Sequence, residues 1–258
     1  MKRNAAYRLI GLGALALSLV LPSCRPAPAA EAAEAAPSVL DEEMAVLLRW
    51  DVGAVVSDSA VALFSLDSCF RSSPLPDAVF ARMEGRSYQE GCPVGRDELR
   101  YLRMLHRNDS LRPQLGEMVA NRIIADELLE AFRTMYEGGY PIHRMVLIDD
   151  YGADDGLSMA ANNTSCFCYR RAGHQRNLSR HSWGMAVDIN PLQNPYITRF
   201  GVEPGEGADY AYRRDSLAAV CPQLITTESL PYRMLHDRFG FQWGGRWMHS
   251  RDYQHFQK

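Results

Sequence analysis

A short segment of alternating character, residues 179–188, constrains this chain more than any other part of its sequence. It reads Ser-Arg-His-Ser-Trp-Gly-Met-Ala-Val-Asp. Met185, Val187 and Ile189 alternate with small or polar residues, and a period of two predicts a strand with these apolar side chains on one face. Asp188 then lies on the opposite face, where small neighbours leave room for an ion and a substrate close to the backbone.

His181 precedes this strand, at a point where a loop can bring its imidazole over Asp188. One histidine nitrogen and one carboxylate oxygen, joined by a second histidine, form the three-ligand set of a catalytic zinc site, in which the fourth position stays open. His255, near the end of the chain, is the candidate for the third ligand. The residues therefore predict a Zn²⁺ site formed by His181, Asp188 and His255.

Asp252 precedes His255 by three residues, a spacing that brings both side chains to one side only where the backbone is helical or turned. A carboxylate in this place accepts a proton from water that zinc has acidified, and the resulting hydroxide attacks an amide carbonyl. Peptide hydrolysis with Asp252 as the base is the chemistry that these residues predict. A serine-peptidase mechanism has no support, because the sequence lacks a Gly-x-Ser-x-Gly motif.

This pattern resembles a known family, the zinc D-alanyl-D-alanine carboxypeptidases and L-alanyl-D-glutamate peptidases of bacterial cell walls and phage endolysins. The family pattern is Ser-x-His-x-x-Gly-x-Ala-x-Asp, followed far downstream by Asp-x-x-His or Glu-x-x-His. This chain has it without departure, at Ser179, His181, Gly184, Ala186, Asp188, Asp252 and His255. Further resemblance, to the subgroup nearest the L-alanyl-D-glutamate enzymes, lies in residues 83–88, 92–94, 159–165, 167–170, 188–196 and 243–247. The resemblance covers about residues 80–258.

The resemblance implies a hedgehog/DD-peptidase-like fold, that is, an α+β domain with a small antiparallel central sheet flanked by helices. It also places Arg170 over the site, where a cation stabilises the oxyanion of the tetrahedral intermediate. Arg171 takes this role if the loop is shifted by one residue. Ser179 is expected to donate a hydrogen bond to a ligand carboxylate. Trp243 and Trp247 either wall the cleft or pack in the core.

The substrates that the resemblance implies are the stem peptides of peptidoglycan. The leading expectation is a D-alanyl-D-alanine carboxypeptidase, which grips a free carboxylate. An L-alanyl-D-glutamate endopeptidase, which needs a longer groove, is the alternative within the family. A third alternative is a non-catalytic lipoprotein that binds the cell wall through the same fold. The loss of a ligand or of Asp252 would mark that case, and the sequence has lost neither.

The N-terminus has the pattern of a secretory signal peptide. Three basic residues, Lys2, Arg3 and Arg8, precede an apolar run at 9–21 that is too short to cross a bilayer. The following Leu-Pro-Ser-Cys resembles the lipobox of bacterial lipoproteins, which implies a lipidated Cys24 and an exported protein anchored to a membrane of the cell envelope. Cleavage in the next Ala-rich stretch is the alternative. The expected organisation is a lipoprotein signal peptide at 1–23, an Ala/Pro-rich tether at 24–38, a helical N-terminal extension at 39–79 and the zinc peptidase domain at 80–258.

Charge and composition exclude few classes of protein. Without residues 1–23 the chain has 25 Lys and Arg against 31 Asp and Glu, a net charge of −6. This charge argues against a nucleic-acid partner. We expect a monomer.

The cysteines predict disulfides if the protein lies in an oxidising compartment. Five cysteines remain after the candidate lipidation site. Cys69 with Cys92 is the first expected pair, and Cys221 is expected to pair with Cys166 or Cys168. One thiol then stays free.

The order of elements lacks the strict strand–helix alternation of a parallel sheet, which favours an α+β fold. Helical spacing of apolar residues predicts helices at about 41–56, 96–106 and 121–137. Strands are predicted at 143–149, 185–190 and 239–243. The acidic loop 152–156 is interpreted as a solvated turn rather than a calcium site.

Overall fold

The computed structural model describes residues 37–171, 177–213 and 215–258, so the expected signal peptide and Cys24 lie outside the described residues. The α-helices of this part are α1 (Val39–Arg49), α2 (Asp58–Phe64), α3 (Asp77–Met83), α4 (Ala125–Glu137), α5 (Asp155–Ala160) and α6 (Asp215–Ala218). The strands are β1 (Arg71–Pro74), β2 (Leu99–Arg107), β3 (Pro113–Asn121), β4 (Ala186–Asp188), β5 (Tyr196–Thr198), β6 (Gly201–Glu203), β7 (Gln242–Trp243), β8 (Arg251–Asp252) and β9 (His255–Gln257). A π-helix covers Tyr232–Arg238, and 3-10 turns cover Leu66–Cys69, Arg96–Glu98, Ile148–Tyr151, Arg180–Trp183, Gly205–Tyr210 and Gly244–Arg246.

The strands of the described residues are divided among three antiparallel sheets of three strands, in the orders β1-β2-β3, β4-β9-β7 and β6-β5-β8. Helices and antiparallel strands are mixed along the chain, which confirms the α+β class. The second and third sheets lie in the C-terminal part and carry two of the expected ligands, Asp188 and His255, and the expected base.

One core connects the helices to the strands that carry the ligands. In α4, Leu128 and Phe132 are buried at helical spacing and face this core. The same cluster contains Leu47 of α1, Val187 of β4 and Phe256 of β9. The inward side chains of β4 and β9 therefore pack in the main core, which leaves their other face for the site.

Residues 39–79 contain α1 and α2 as expected, but also β1, which pairs with β2 at the edge of the first sheet. Ser38 caps α1 with a capping box, because its hydroxyl accepts from the Asp41 N–H while the Asp41 carboxylate accepts from Ser38. The boundary that we place after residue 79 falls inside α3 and stays a prediction.

The expected helix at 96–106 is wrong, because this segment is β2, the central strand of the first sheet. Both faces of β2 are covered: Leu102 and Met104 lie in the larger core cluster, and Leu99 lies in a second one. A strand that is buried on both faces has apolar residues without a clean period of two, and such a run is easily taken for helical spacing. Pairing with β1 and β3 decides its conformation.

The expected strand at 143–149 is also wrong, because the segment makes isolated backbone contacts instead of a continuous ladder. The Met145 carbonyl accepts from the Glu117 N–H of β3 at 3.0 Å, and Arg144 forms an isolated bridge with Asn163. The Val146 N–H donates to Asn163 Oδ1, and Asn163 Nδ2 donates to the Val146 carbonyl, each at 3.0 Å. The chain then enters the 3-10 turn Ile148–Tyr151. The Asn163 side chain therefore takes part of the place of a strand partner, and no period in the sequence reveals this.

The other predicted elements are present with shifted ends. The helix expected at 121–137 is α4, and the strands expected at 185–190 and 239–243 contain β4 and β7. The helix expected at 41–56 is α1, which ends at Arg49 because Trp50 has a left-handed conformation with φ of 57°.

The expected disulfides are wrong, because Cys69, Cys92, Cys166, Cys168 and Cys221 are all free thiols. Cys69 belongs to the larger core cluster, whereas Cys92 packs against the second cluster. The two expected partners therefore lie in different parts of the core and cannot meet.

Within the described residues, none of the helices combines the length and the apolar character that a membrane span needs.

Candidate metal centre

Two of the three expected ligands lie opposite each other on paired strands. β4 and β9 are antiparallel, and their register places Asp188 across from His255. Directly opposed residues of an antiparallel pair project to the same face of the sheet. The neighbouring pair, Val187 and Phe256, projects to the other face and is fully buried in the core. Core packing on one face therefore positions the two ligands on the other.

His181 comes from the 3-10 turn Arg180–Trp183 just before β4. Ser179 caps this turn, because its Oγ accepts a hydrogen bond from the His181 N–H at 3.3 Å. The expected bond from Ser179 to a ligand carboxylate is thus replaced by one that holds the backbone of a ligand. Gly184 ends the turn with φ of 64°, and a Cβ atom there would lie 2.7 Å from the Asn121 amide nitrogen. Only glycine fits this position.

The three ligand side chains converge in a buried cluster. Asp188 Oδ2 lies 3.0 Å from His181 Nε2, and Asp188 Oδ1 lies 2.8 Å from His255 Nδ1. The two histidine nitrogens lie 3.2 Å apart. One potential ligand atom from each residue lies within 4.8 Å of the other two. Two imidazole nitrogens and a carboxylate oxygen are donors that zinc prefers.

The second ring nitrogen of each histidine is bound outside the cluster. His181 Nδ1 donates to the Cys166 carbonyl oxygen at 2.5 Å, and His255 Nε2 donates to Gln257 Oε1 at 3.0 Å. These bonds place the ring protons on the outer nitrogens, so His181 Nε2 and His255 Nδ1 keep lone pairs that face the cluster. Facing lone pairs repel each other unless a proton or a cation lies between them. The donor set therefore fits a metal ion.

The charges of the cluster show the same requirement for a cation. Burial lowers the pKa of His255, but the Asp188 carboxylate outweighs burial and raises this pKa to about 9. Burial also opposes the ionisation of Asp188, and the two histidines outweigh it, so the pKa of Asp188 falls well below its usual range. The ionised carboxylate thus holds positive charge in the space between the ligands.

Asp252 enters the site from a different sheet. It ends β8, where it pairs with Tyr196 of β5, and a bend at residues 253–254 separates β8 from β9. This bend supplies the turned backbone that the spacing of Asp252 and His255 requires. Burial is the main cause that raises the pKa of Asp252 to about 7; His255 opposes the shift and Asp188 adds to it. A carboxyl group with a pKa near neutrality can take up and release a proton at neutral pH.

Arg170 approaches the ligands from the side of α5. Its Nη2 lies 2.9 Å from Asp155 Oδ1 and 3.9 Å from Asp188 Oδ2. Burial lowers the pKa of Arg170, but the carboxylates of Asp155 and Asp188 outweigh burial and raise it. The guanidinium is therefore a fixed cation at the edge of the cluster. Arg171, the alternative, is exposed and lies in a bridge with Leu178.

A cleft of about 430 Å³ joins these groups. Side chains of the cluster and of the expected base line it, together with Arg170, Arg180, Trp247 and Glu203 of β6. The Trp247 ring centre lies 5.4 Å from that of His255. Trp243 is instead buried in the core, where its Nε1 donates to the Tyr253 carbonyl. A second cavity, of about 500 Å³ and lined by residues 84–92, shares none of these side chains.

Three contributions to the site were not predicted from the sequence. Gln257 lies two residues after His255 on the same strand, and the period of two already placed it on the face of this ligand. The Cys166 carbonyl and the Asp155 carboxylate reach the site from distant segments, and no motif marks either of them.

Comparison with known families gives one match. Residues 172–258 match the family model described as D-alanyl-D-alanine carboxypeptidase. The matched segment is one third of the chain and contains the three expected ligands and Asp252. It begins two residues after Arg170, which therefore lies outside the match. The match supports the resemblance read from the sequence. No curated protein and no solved structure matches the chain.

Proposed function

We propose that this chain, a member of the D-alanyl-D-alanine carboxypeptidase family over residues 172–258, is a zinc-dependent peptidase that removes the terminal D-alanine from peptidoglycan stem peptides. The family match supports a peptidase, and the zinc dependence rests on one observation. His181, Asp188 and His255 converge, and the outer nitrogens of both histidines are bound elsewhere. We also propose that the fold is of the hedgehog/DD-peptidase type.

The ligands would hold the zinc ion through His181 Nε2, His255 Nδ1 and the Asp188 carboxylate. When bound, zinc supplies a Lewis acid that polarises a carbonyl group and acidifies water. Asp252 takes the proton from the attacking water, since its carboxyl group has a pKa of about 7, and passes it to the leaving amine. Arg170 stabilises the negative charge that develops on the carbonyl oxygen.

Carboxypeptidase action needs a cation that grips the free carboxylate of the substrate. Arg180 is exposed and lines the cleft, next in sequence to the ligand His181. A guanidinium binds a carboxylate through two parallel hydrogen bonds, so this side chain suits a peptide with a free C-terminus. This observation favours the carboxypeptidase over the L-alanyl-D-glutamate endopeptidase.

The experiment is mass spectrometry of purified muropeptides after incubation with the full-length protein in detergent. Muropeptides with free and with blocked stem-peptide termini are compared, with zinc and with a chelator. Loss of one D-alanine from the free termini alone, abolished by the chelator, is expected. A cut after L-alanine would instead establish the endopeptidase. No cleavage of either substrate set by zinc-loaded protein would favour a lipoprotein that binds the cell wall without cutting it.

We further propose that the protein is an exported lipoprotein of the cell envelope, anchored through a lipidated Cys24, and that it acts as a monomer. The support is the signal-peptide pattern and the Leu-Pro-Ser-Cys sequence. Labelling of growing bacteria with a clickable fatty acid should mark the wild-type protein but not Cys24→Ala. A label that persists in this variant would contradict the anchor, and light scattering of the purified protein checks the monomer.

A further inference from the structure

The Arg170 guanidinium lies between two carboxylates of different roles. Asp155 Oδ1 is in contact with Arg170 Nη2 at 2.9 Å, whereas the metal-ligand candidate Asp188 is farther away, at 3.9 Å from the same nitrogen. Arg170 and Asp155 are both largely buried, with 22% and 30% of their side chains exposed. Partial burial strengthens such a pair relative to an exposed one.

The backbone of Arg170 is fixed independently of this ion pair. Its N–H donates to Ser182 Oγ at 3.0 Å, and its carbonyl accepts from Ser182 Oγ at 2.7 Å and from the Ser179 N–H at 3.0 Å. These bonds tie it to the turn that carries His181. Arg170 Nε is buried and has no hydrogen-bond partner among the described residues. The side chain therefore has a fixed origin, and Asp155 is the contact that decides where its end lies.

Asp155 is not needed to cap the helix that it begins. Asp154 is the cap of α5, since its Oδ1 accepts from the Leu157 N–H at 2.9 Å. Asp155 follows it and lines the cleft together with Arg170 and Asp188. Its carboxylate is thus available for the ion pair.

Without Asp155, the nearest described carboxylate for Arg170 Nη2 is that of Asp188. A guanidinium that closes onto Asp188 would compete with a metal ion for the same oxygens, because both are cations that bind carboxylate. It would also leave the place where it can reach a substrate carbonyl. We infer that Asp155 is a positioning residue, whose carboxylate holds Arg170 toward the cleft and keeps it off the metal ligand Asp188. This inference rests on the proposed function.

The test is a double-mutant cycle in zinc affinity, measured on the full-length protein by competition with a chromophoric chelator. Groups behind the ligands typically contribute 10–100-fold to metal affinity, so Asp155→Asn should weaken zinc binding by about this factor. In the Arg170→Gln background the same change should alter affinity by less than about twofold, because no guanidinium remains to close onto Asp188. Asp154→Asn, which removes the same charge one residue away and keeps a good cap, is the matched control and should bind zinc as the wild type does.

Two further measurements separate positioning from general damage to the fold. Asp155→Glu keeps the carboxylate and should recover most of the zinc affinity. In the zinc-saturated enzyme, Asp155→Asn should lower kcat more than it changes KM, because the misplaced guanidinium no longer meets the oxyanion.

An equal loss of zinc affinity in both backgrounds would overturn the inference, since it would show only the long-range effect of one negative charge. Unchanged affinity and unchanged kcat in Asp155→Asn would overturn it as well. The cycle needs no turnover. If zinc-loaded wild type cleaves no muropeptide, the proposed function fails, while the affinities still decide the role of Asp155.

Discussion

In the proposed mechanism, Asp252 is the residue that distinguishes catalysis from metal binding. It is not among the three converging ligands, and its Oδ1 is buried without a hydrogen-bond partner among the described residues. A buried carboxylate oxygen without a hydrogen-bond partner is costly for the fold, and such a cost is typical of a functional site rather than of a structural one.

The first prediction concerns this residue. Asp252→Ala should retain zinc and lower kcat by about 10²–10⁴, because it removes a general base and no ligand. Zinc content is measured by atomic absorption, and turnover by release of D-alanine. Loss of zinc in this variant would show instead that Asp252 holds the metal.

The second prediction concerns the candidate ligand His181. His181→Ala should lose both zinc and activity, because a site with two ligands binds zinc far more weakly than one with three. His143→Ala is the control: His143 is also a histidine with a carboxylate partner, Asp109, at 2.5 Å, but it does not line the cleft. Stoichiometric zinc in purified His181→Ala would contradict the ligand assignment.

Among the elements, the turn before β4 depends most on a single residue. Gly184 has φ of 64° and lies against the backbone at the end of β3, where its carbonyl accepts from the Asn121 N–H at 2.9 Å. The Asn121 side chain adds a bond from Nδ2 to the Trp183 carbonyl at 3.0 Å. The first sheet therefore holds the turn that carries His181.

The third prediction follows from this contact. Gly184→Ala should lower the free energy of unfolding by about 2–4 kcal/mol, since it combines a left-handed conformation with a backbone clash. Urea unfolding of the zinc-free protein measures it. Gly205→Ala is the control, because a Cβ atom at Gly205 would meet open space. Equal stability of the two variants would contradict the described packing.

At the scale of the whole molecule, stability depends on the protons bound at the candidate metal centre. The His255 pKa is raised from 6.5 to about 9, so protonated His255 stabilises the fold fully below pH 6.5, and this contribution is lost as the pH rises through 9. The Asp252 pKa is raised from 3.8 to about 7, so its neutral form stabilises the fold at low pH, and this contribution is lost as the pH rises through 7. The pKa of Asp188 is lowered, so its ionised form stabilises the fold, and this contribution to stability is lost only as the pH falls into the acid range.

The fourth prediction is that the Tm of the zinc-free protein falls as the pH rises from 6.5 to 9. Zinc should reduce this fall, because the metal binds the deprotonated ligands and gains affinity as the pH rises. Differential scanning fluorimetry with and without a chelator measures both curves. His255→Ala should flatten the zinc-free curve over this range, and an unchanged slope would contradict the assignment of the proton to His255.

The sequence by itself was enough to propose the ligand set and the base and to indicate the family. His181 and Asp188 lie in one short segment, and Asp252 and His255 in another, so their spacing and the period of two were enough to propose a site. The strand β4 and the helix α4 were also predictable, because each shows its own periodicity.

Only the tertiary structure decided what depends on distant partners. β2 is a strand because two neighbours pair with it, and residues 143–149 form no strand because isolated bonds to β3 and to the Asn163 side chain replace a ladder. Cys69 and Cys92 stay apart because they pack in different core clusters, and the register of β4 with β9 brings Asp188 to His255. The contact of Asp155 with Arg170 also joins two separate segments, so only the tertiary structure shows it. The periodicity of a sequence indicates which face of a helix or strand is buried. It does not indicate which distant residues contact that face.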